Sequence, residues 1–255
     1  MITGKAGVQL FTLREFTQNI KDFTATMEKV RKIGYTAVQI SAIGPIDPKE
    51  VAKAVEGSGL KVAATHMGWG QFQTDLPHVI EIHKMWKCPH PAIGSLPHEY
   101  VTAEGVKKFI AELRPIAAEL AKNGMDFSYH NHSHELVRCG KSTWLQELYD
   151  QAPGDILKAE IDTYWIQHGG GDPTWWINHC AGREPVIHLK DMARGPEGQL
   201  MAAVGEGNLN WPAILAAGEA GGVEYYLVEQ DNCNGLNPFD CVATSYRNLQ
   251  KLGVS

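Results

Sequence analysis

Several short stretches of the 255-residue chain set metal-ligating and proton-transferring side chains two residues apart. They read His130-Asn131-His132, Glu160-Ile161-Asp162, His188-Leu189-Lys190-Asp191 and Glu229-Gln230-Asp231, and Thr65-His66 adds a single imidazole. Carboxylates and imidazoles hold divalent cations, and both exchange protons at workable pH. Residues i and i+2 of an extended strand share a face. His130 with His132, Glu160 with Asp162, and His188 with Lys190 can therefore point one way, and Glu229 can join them. Such groups on a buried face repel or stay unsatisfied unless something cationic joins them. A divalent ion would serve Asp162, His188 and Glu229 together. The mixed oxygen and nitrogen donors suit Mn²⁺, Mg²⁺, Zn²⁺, Co²⁺ or Fe²⁺ without choosing among them.

Stepping outward from these residues, the sequence alternates short apolar runs with amphipathic ones. Strands are expected at Gly7–Leu13, Ala37–Ser41, Lys61–Trp69, Ala92–Leu96, Asp126–His132, Leu157–Trp165, Pro185–Asp191 and Val223–Asp231. Helices are expected at Ile20–Ile33, Asp47–Ser58, Leu76–Trp86, Thr102–Lys122, Ser142–Gln151, after Asp172-Pro173, at Trp211–Ala220 and at Pro238–Leu252. Eight strand-then-helix units of roughly 32 residues predict an α/β fold, a (β/α)8 TIM barrel in a single domain over residues 1–255. An open doubly wound sheet would carry a glycine-rich loop after its first strand, where this chain reads Thr12-Leu13-Arg14-Glu15-Phe16.

In a barrel the reaction site lies at the carboxyl ends of the strands, where the chemistry-bearing stretches fall. His66 could touch substrate there, although a lone strand-end histidine is more often a structural hydrogen-bond partner. Trp165, Trp69 and Phe11 are candidate apolar walls, and Arg14 a candidate for an anionic group. Gly205-Glu206-Gly207-Asn208 precedes a helix; its glycines serve a turn, and Glu206 could contact substrate hydroxyls. His78, His83, His98 and His179 fall on helices or loops and are expected in solvent. The triplet His130-Asn131-His132 is not read as a nuclease motif, because its neighbours are βα units.

The formal net charge of −6 argues against a nucleic-acid partner. Five scattered cysteines, with no CxxC, predict free thiols in a reducing cytoplasm. The first residues do not read as a secretory signal, and no apolar run is long enough to span a membrane. A homo-oligomer is compatible with the sequence.

At Gly7–Leu13, Tyr129-His130-Asn131-His132, Ile161-Asp162-Thr163-Tyr164-Trp165, His188-Leu189-Lys190-Asp191, Gly205-Glu206-Gly207-Asn208 with Trp211, and Val228-Glu229-Gln230, the chain resembles the xylose isomerase-like barrel superfamily of sugar phosphate isomerases/epimerases. The resemblance covers nearly the whole chain. It implies one divalent metal held by Glu, Asp, His and Glu from strands five to eight. Asp162, His188 and Glu229 match the last three, while His130 stands where glutamate is expected. His130 is taken as the fourth ligand, with His132 the alternative and Glu135 further into the loop. Isomerases and epimerases of this type use two metal-bound glutamates, one on each face of the substrate, and only Glu229 remains here. The expected function is thus a metal-dependent sugar isomerase/epimerase that removes a proton beside a metal-bound carbonyl through an enediolate. Glu229 and His132 would be its proton-transfer groups, and Lys190 would help return the proton. The alternative is a dehydratase or lyase acting on an inosose or a 3-keto-glycoside. An abasic-site endonuclease and a non-catalytic sugar-binding role fit less well.

Overall fold

A computed structural model describes residues 2–254. Eight parallel strands close on themselves: β1 (Lys5–Gln9), β2 (Ala37–Ile40), β3 (Lys61–His66), β4 (His90–Ile93), β5 (Ser128–His130), β6 (Lys158–Asp162), β7 (Val186–Leu189) and β8 (Tyr225–Val228). Each pairs with the next in chain order, and β8 returns to β1 with Lys5 opposite Tyr225 and Val8 opposite Val228. The (β/α)8 barrel expected from the alternation is the fold.

The first helix illustrates how the outer ring forms. In α1 (Ile20–Ile33) the Asn19 side chain accepts the Asp22 amide and caps the start. Phe23, Met27 and Val30 follow at helical spacing and are buried. Gly34 ends the helix at φ 129°, a conformation that disfavours a side chain, and lies against the Tyr246 ring, where a Cβ would clash.

The barrel interior has two levels. Ala37, Ala63, Ala64, Val186 and Leu227 form a small apolar cluster apart from the main core. Ala37, Val186 and Leu227 precede Gln39, His188 and Glu229 by two residues and so share their inward face. A narrow apolar floor therefore lies beneath a polar level at the carboxyl ends.

Several boundaries differ from the expectation. Strand one stops at Gln9, whose side chain accepts the Phe11 amide and turns the chain into a 3-10 segment, Leu10–Phe16. Strand six stops at Asp162, because its carboxylate caps the helix Thr163–His168 through the Trp165 amide at 2.9 Å. Trp165 is therefore helical. Strand seven leads into an unexpected antiparallel hairpin, Asp191–Gly195 with Gly198–Ala202. Trp69 is no wall of an opening; it is 4% exposed and packs edge-on against Phe109 and Phe127.

His83 also corrects its expectation. It lies on the helix Leu76–Trp86, is fully buried, and bonds Thr65 Oγ1 at 2.7 Å and the Val79 carbonyl at 2.7 Å. Burial lowers its pKa to about 4. Above the ordinary imidazole value both folded and unfolded chains carry it neutral. As pH falls from about 6.5 to 4 only the unfolded chain takes up the proton, so stability falls with pH in that window, by about 3 kcal/mol from this group. His83→Gln should flatten that slope in urea denaturation between pH 7 and 4. An unchanged slope would remove His83 as its source.

Candidate metal centre

Neighbouring strands deliver the polar side chains at matched heights. Asp162 on β6 pairs in register with His188 on β7, and His130 on β5 pairs with Glu160 on β6. The Thr163 hydroxyl joins the strand exits, donating to the Lys190 carbonyl at 2.9 Å and accepting the Lys190 amide at 3.0 Å. Asn131 Oδ1 accepts the Asp162 amide at 2.9 Å. These bonds fix the backbone from which the buried groups project.

His130, Asp162, His188 and Glu229 each bring one donor atom into a group whose members lie within 4.8 Å of one another. His188 Nδ1 lies 2.9 Å from Glu229 Oε2 and 3.9 Å from Asp162 Oδ2, and His130 Nε2 lies 3.3 Å from Asp162 Oδ2. Donors around an ion at about 2.1 Å stand roughly 3–3.5 Å apart, so these separations are close to a coordination shell.

The second atom of most of these ligands is already occupied. His188 Nε2 lies 2.6 Å from Gln39 Oε1 and 2.9 Å from Glu160 Oε1. Both partners are oxygen acceptors, so Nε2 carries a proton, while Nδ1 points to Glu229 Oε2 inside the cluster and would give up its proton to bind an ion. His130 Nδ1 faces the Gly94 carbonyl at 3.3 Å, which leaves a lone pair on Nε2 opposite the Asp162 carboxylate. Asp162 Oδ1 holds the Trp165 amide, leaving Oδ2 inward. A lone pair facing a carboxylate oxygen is satisfied by a cation between them, and this donor set fits a divalent ion.

A protein cation also stands among these carboxylates. Lys190 is 1% exposed, and its Nζ lies 3.1 Å from Asp162 Oδ2, 2.9 Å from Glu229 Oε2 and 2.9 Å from Asp231 Oδ1. Burial opposes its charge, but the three carboxylates outweigh burial and raise its pKa. His188 behaves alike: burial lowers its pKa, Glu160 and Glu229 raise it more, and it reaches about 10. Two protein cations thus offset part of the carboxylate charge, and a divalent ion would displace the Nδ1 proton of His188 and share the partners of Lys190.

Glu160, inward-facing by strand alternation, belongs to the same cluster. It is fully buried, accepts Gln39 Nε2 at 3.0 Å, and lies 2.6 Å from His66 Nε2 as well as beside His188. Its place two residues before Asp162 was the available signal, as was the polar Gln39 inside an apolar run. Asp231, two residues after Glu229, was passed over in the same way. Burial and the neighbouring Glu229 raise its carboxyl to about 6.

His66 joins the cluster through Glu160. The His132 ring stands 5.0 Å from His130 and 5.4 Å from Trp165, and Lys190 Nζ lies 5.3 Å from the Trp165 ring centre. Burial and then His130 lower the His132 pKa to about 3, so it is neutral near pH 7. Two expected substrate contacts have protein partners of their own. Glu206 is exposed and accepts Asn248 Nδ2 on the outer helix Pro238–Lys251, so it is not in the cluster. Arg14 gives its guanidinium to the carbonyls of Phe11 at 2.7 Å and Asp231 at 3.2 Å. Glu135 staples the loop after β5, accepting Tyr129 Oη and the His132 amide, both at 2.8 Å.

Residues 27–232 match the xylose isomerase-like TIM barrel family, and the chain belongs to it. No curated protein matches the chain. A sugar phosphate isomerase/epimerase from Parabacteroides distasonis ATCC 8503 is 24% identical over 97% of this chain and 94% of that one, with a TM-score of 0.82. An L-ribulose 3-epimerase is 16% identical over 98% and 94%, with a TM-score of 0.74. A probable 3-DHS dehydratase, AsbF, from Bacillus anthracis is 12% identical over 96% and 98%, with a TM-score of 0.69. At these identities the likeness carries the fold. Among the described residues no helix is long and apolar enough to cross a membrane.

Proposed function

We propose that this chain is a divalent-metal-dependent sugar isomerase or epimerase that moves a proton on the carbon beside a carbonyl. The observation that carries the reading is the convergence of His130, Asp162, His188 and Glu229 on one point, with the second atoms of His130, Asp162 and His188 tied to protein partners. A bound ion would polarise the carbonyl and acidify the neighbouring C–H. Glu229, ionised beside Lys190, is the group placed to remove that proton. His132, on the strand-five side, is neutral and is placed to pass a proton there. Lys190 holds its proton too firmly to donate it readily. Its role is a fixed positive charge that stabilises negative charge developing on the substrate oxygen.

Elimination is the second reading. The strand-five position carries His130, so Glu229 is the only glutamate in the four-residue donor group. A dehydratase or lyase acting on an inosose or 3-keto-glycoside needs one base for the α-proton, Glu229, and a proton carrier for the departing oxygen, His132.

Proton NMR in D₂O with Mn²⁺-loaded and EDTA-stripped protein tests both. Deuterium entering an unchanged ketose skeleton only with metal is the expected result. An enone product would move the assignment to elimination. Equal exchange without metal would remove the ion from the reaction.

Glu160 bears on the same ion by positioning His188. Glu160→Gln should weaken Mn²⁺ binding about 10- to 100-fold in calorimetric titration. An affinity within about twofold of the parent would leave Glu160 a packing residue.

A further inference from the structure

The proposed reaction does not fix whether the sugar carries a phosphate. Resting on that reading of the site, we infer that the substrate is an uncharged sugar or polyol ketone and that phosphate esters are discriminated against.

Barrel enzymes frequently hold phosphate on the loops after strands seven and eight, using backbone amides and a helix N-terminus. In this chain a glycine-bearing loop stands there, between the hairpin that follows β7 and the helix Trp211–Gly221. Its donors are already taken by the protein's own anion. The carboxylate of Asp191, fully buried, accepts the amides of Gly205 at 2.8 Å, Gly207 at 2.9 Å and Leu209 at 3.3 Å. It also accepts the Trp211 indole N–H at 2.8 Å and the Met192 amide at 2.8 Å. A Cβ at Gly207 would clash with this carboxylate, so the loop is shaped around Asp191. The amide cradle is thus filled by the protein's own carboxylate.

Most of the other cationic and dipolar groups at this end are also engaged. The helices after β6 to β8 have their first turns capped by Asp162, Asn210 and Asn237. Arg14 is committed to two carbonyls and lies over the Phe11 ring at 4.3 Å. Arg194 is exposed and stands three residues along the hairpin from Asp191, about 10 Å at the rise of a strand.

The groups left for a ligand are neutral. His132 Nδ1 and Trp165 Nε1 are buried and lack partners, on rings 5.4 Å apart. An indole N–H and an imidazole nitrogen match sugar hydroxyls, which both donate and accept.

The test pairs free and phosphorylated ketoses on the Mn²⁺-loaded protein: D-fructose with D-fructose 6-phosphate, and D-ribulose with D-ribulose 5-phosphate. Deuterium uptake should favour the free member in kcat/KM by at least about tenfold. A phosphate ester turned over as well or better overturns the inference while leaving the proton-transfer reading intact. If neither member exchanges, that reading is what fails. The substrate class is then read by titrating the EDTA-treated chain with inorganic phosphate and D-fructose 6-phosphate. No saturation up to about 10 mM agrees with the inference, and a Kd below about 1 mM contradicts it.

Discussion

Replacing Lys190 by methionine should destabilise the metal-free protein by about 3–5 kcal/mol, because it leaves Asp162, Glu229 and Asp231 without their shared counter-charge. Lys190 is 1% exposed, Asp162 fully buried and Glu229 5% exposed, so water screens the loss little. Methionine retains much of the apolar stem, and the lost ammonium dominates the effect. For a chain of this size the melting temperature should fall by about 10 °C in EDTA. Mn²⁺ should raise the variant's melting temperature more than the parent's, since an ion would neutralise the oxygens that Lys190 contacts. Circular dichroism melts of both proteins, with and without Mn²⁺, provide the comparison. A variant that melts with the parent in EDTA would mean that the ammonium does not hold these carboxylates together. Equal Mn²⁺ shifts would mean that ion and ammonium act at different places.

Glu229→Gln should lower the rate of proton exchange by at least about 10²-fold at saturating Mn²⁺. Glutamine keeps the shape and one carbonyl oxygen, but it can neither accept the substrate proton nor offset the charge of Lys190. The carboxylate lies 2.9 Å from both His188 Nδ1 and Lys190 Nζ, so its lost charge is also felt by two neighbours. Measuring Mn²⁺ affinity beside the exchange rate separates weaker metal binding from lost proton transfer. A drop of only a few-fold at saturating metal would take Glu229 out of the proton-transfer role.

Much of this arrangement was legible in the sequence. The two-residue spacings in Glu160-Ile161-Asp162 and His188-Leu189-Lys190 follow from strand alternation alone. Repeated strand–helix units place them at one end of a barrel. The unread parts depend on closure. The spacing turns Lys190 to the same face as the carboxylates, but its distances to Asp162 and Glu229 span three strands, so contact among them follows only from barrel closure. His83 was read as solvated from its helix alone, although Val79 and His83 are one helical turn apart and bury the same face. Asp162 combines a strand end with a helix cap, which is why the sixth strand was drawn too long. The hairpin after β7 was missed because Asp191 reads as a strand-end carboxylate, whereas its contacts make it the organiser of the following loop.

The central claim is that His130, Asp162, His188 and Glu229 close around one ion. Anomalous diffraction from a crystal grown with Mn²⁺ tests it most directly. The account predicts one peak about 2.0–2.3 Å from a nitrogen of each histidine and an oxygen of each carboxylate, with Lys190 retaining Asp231. An empty site with Lys190 Nζ still bridging Asp162 and Glu229 would contradict it, as would an ion bound instead by His132, His134 and Glu135.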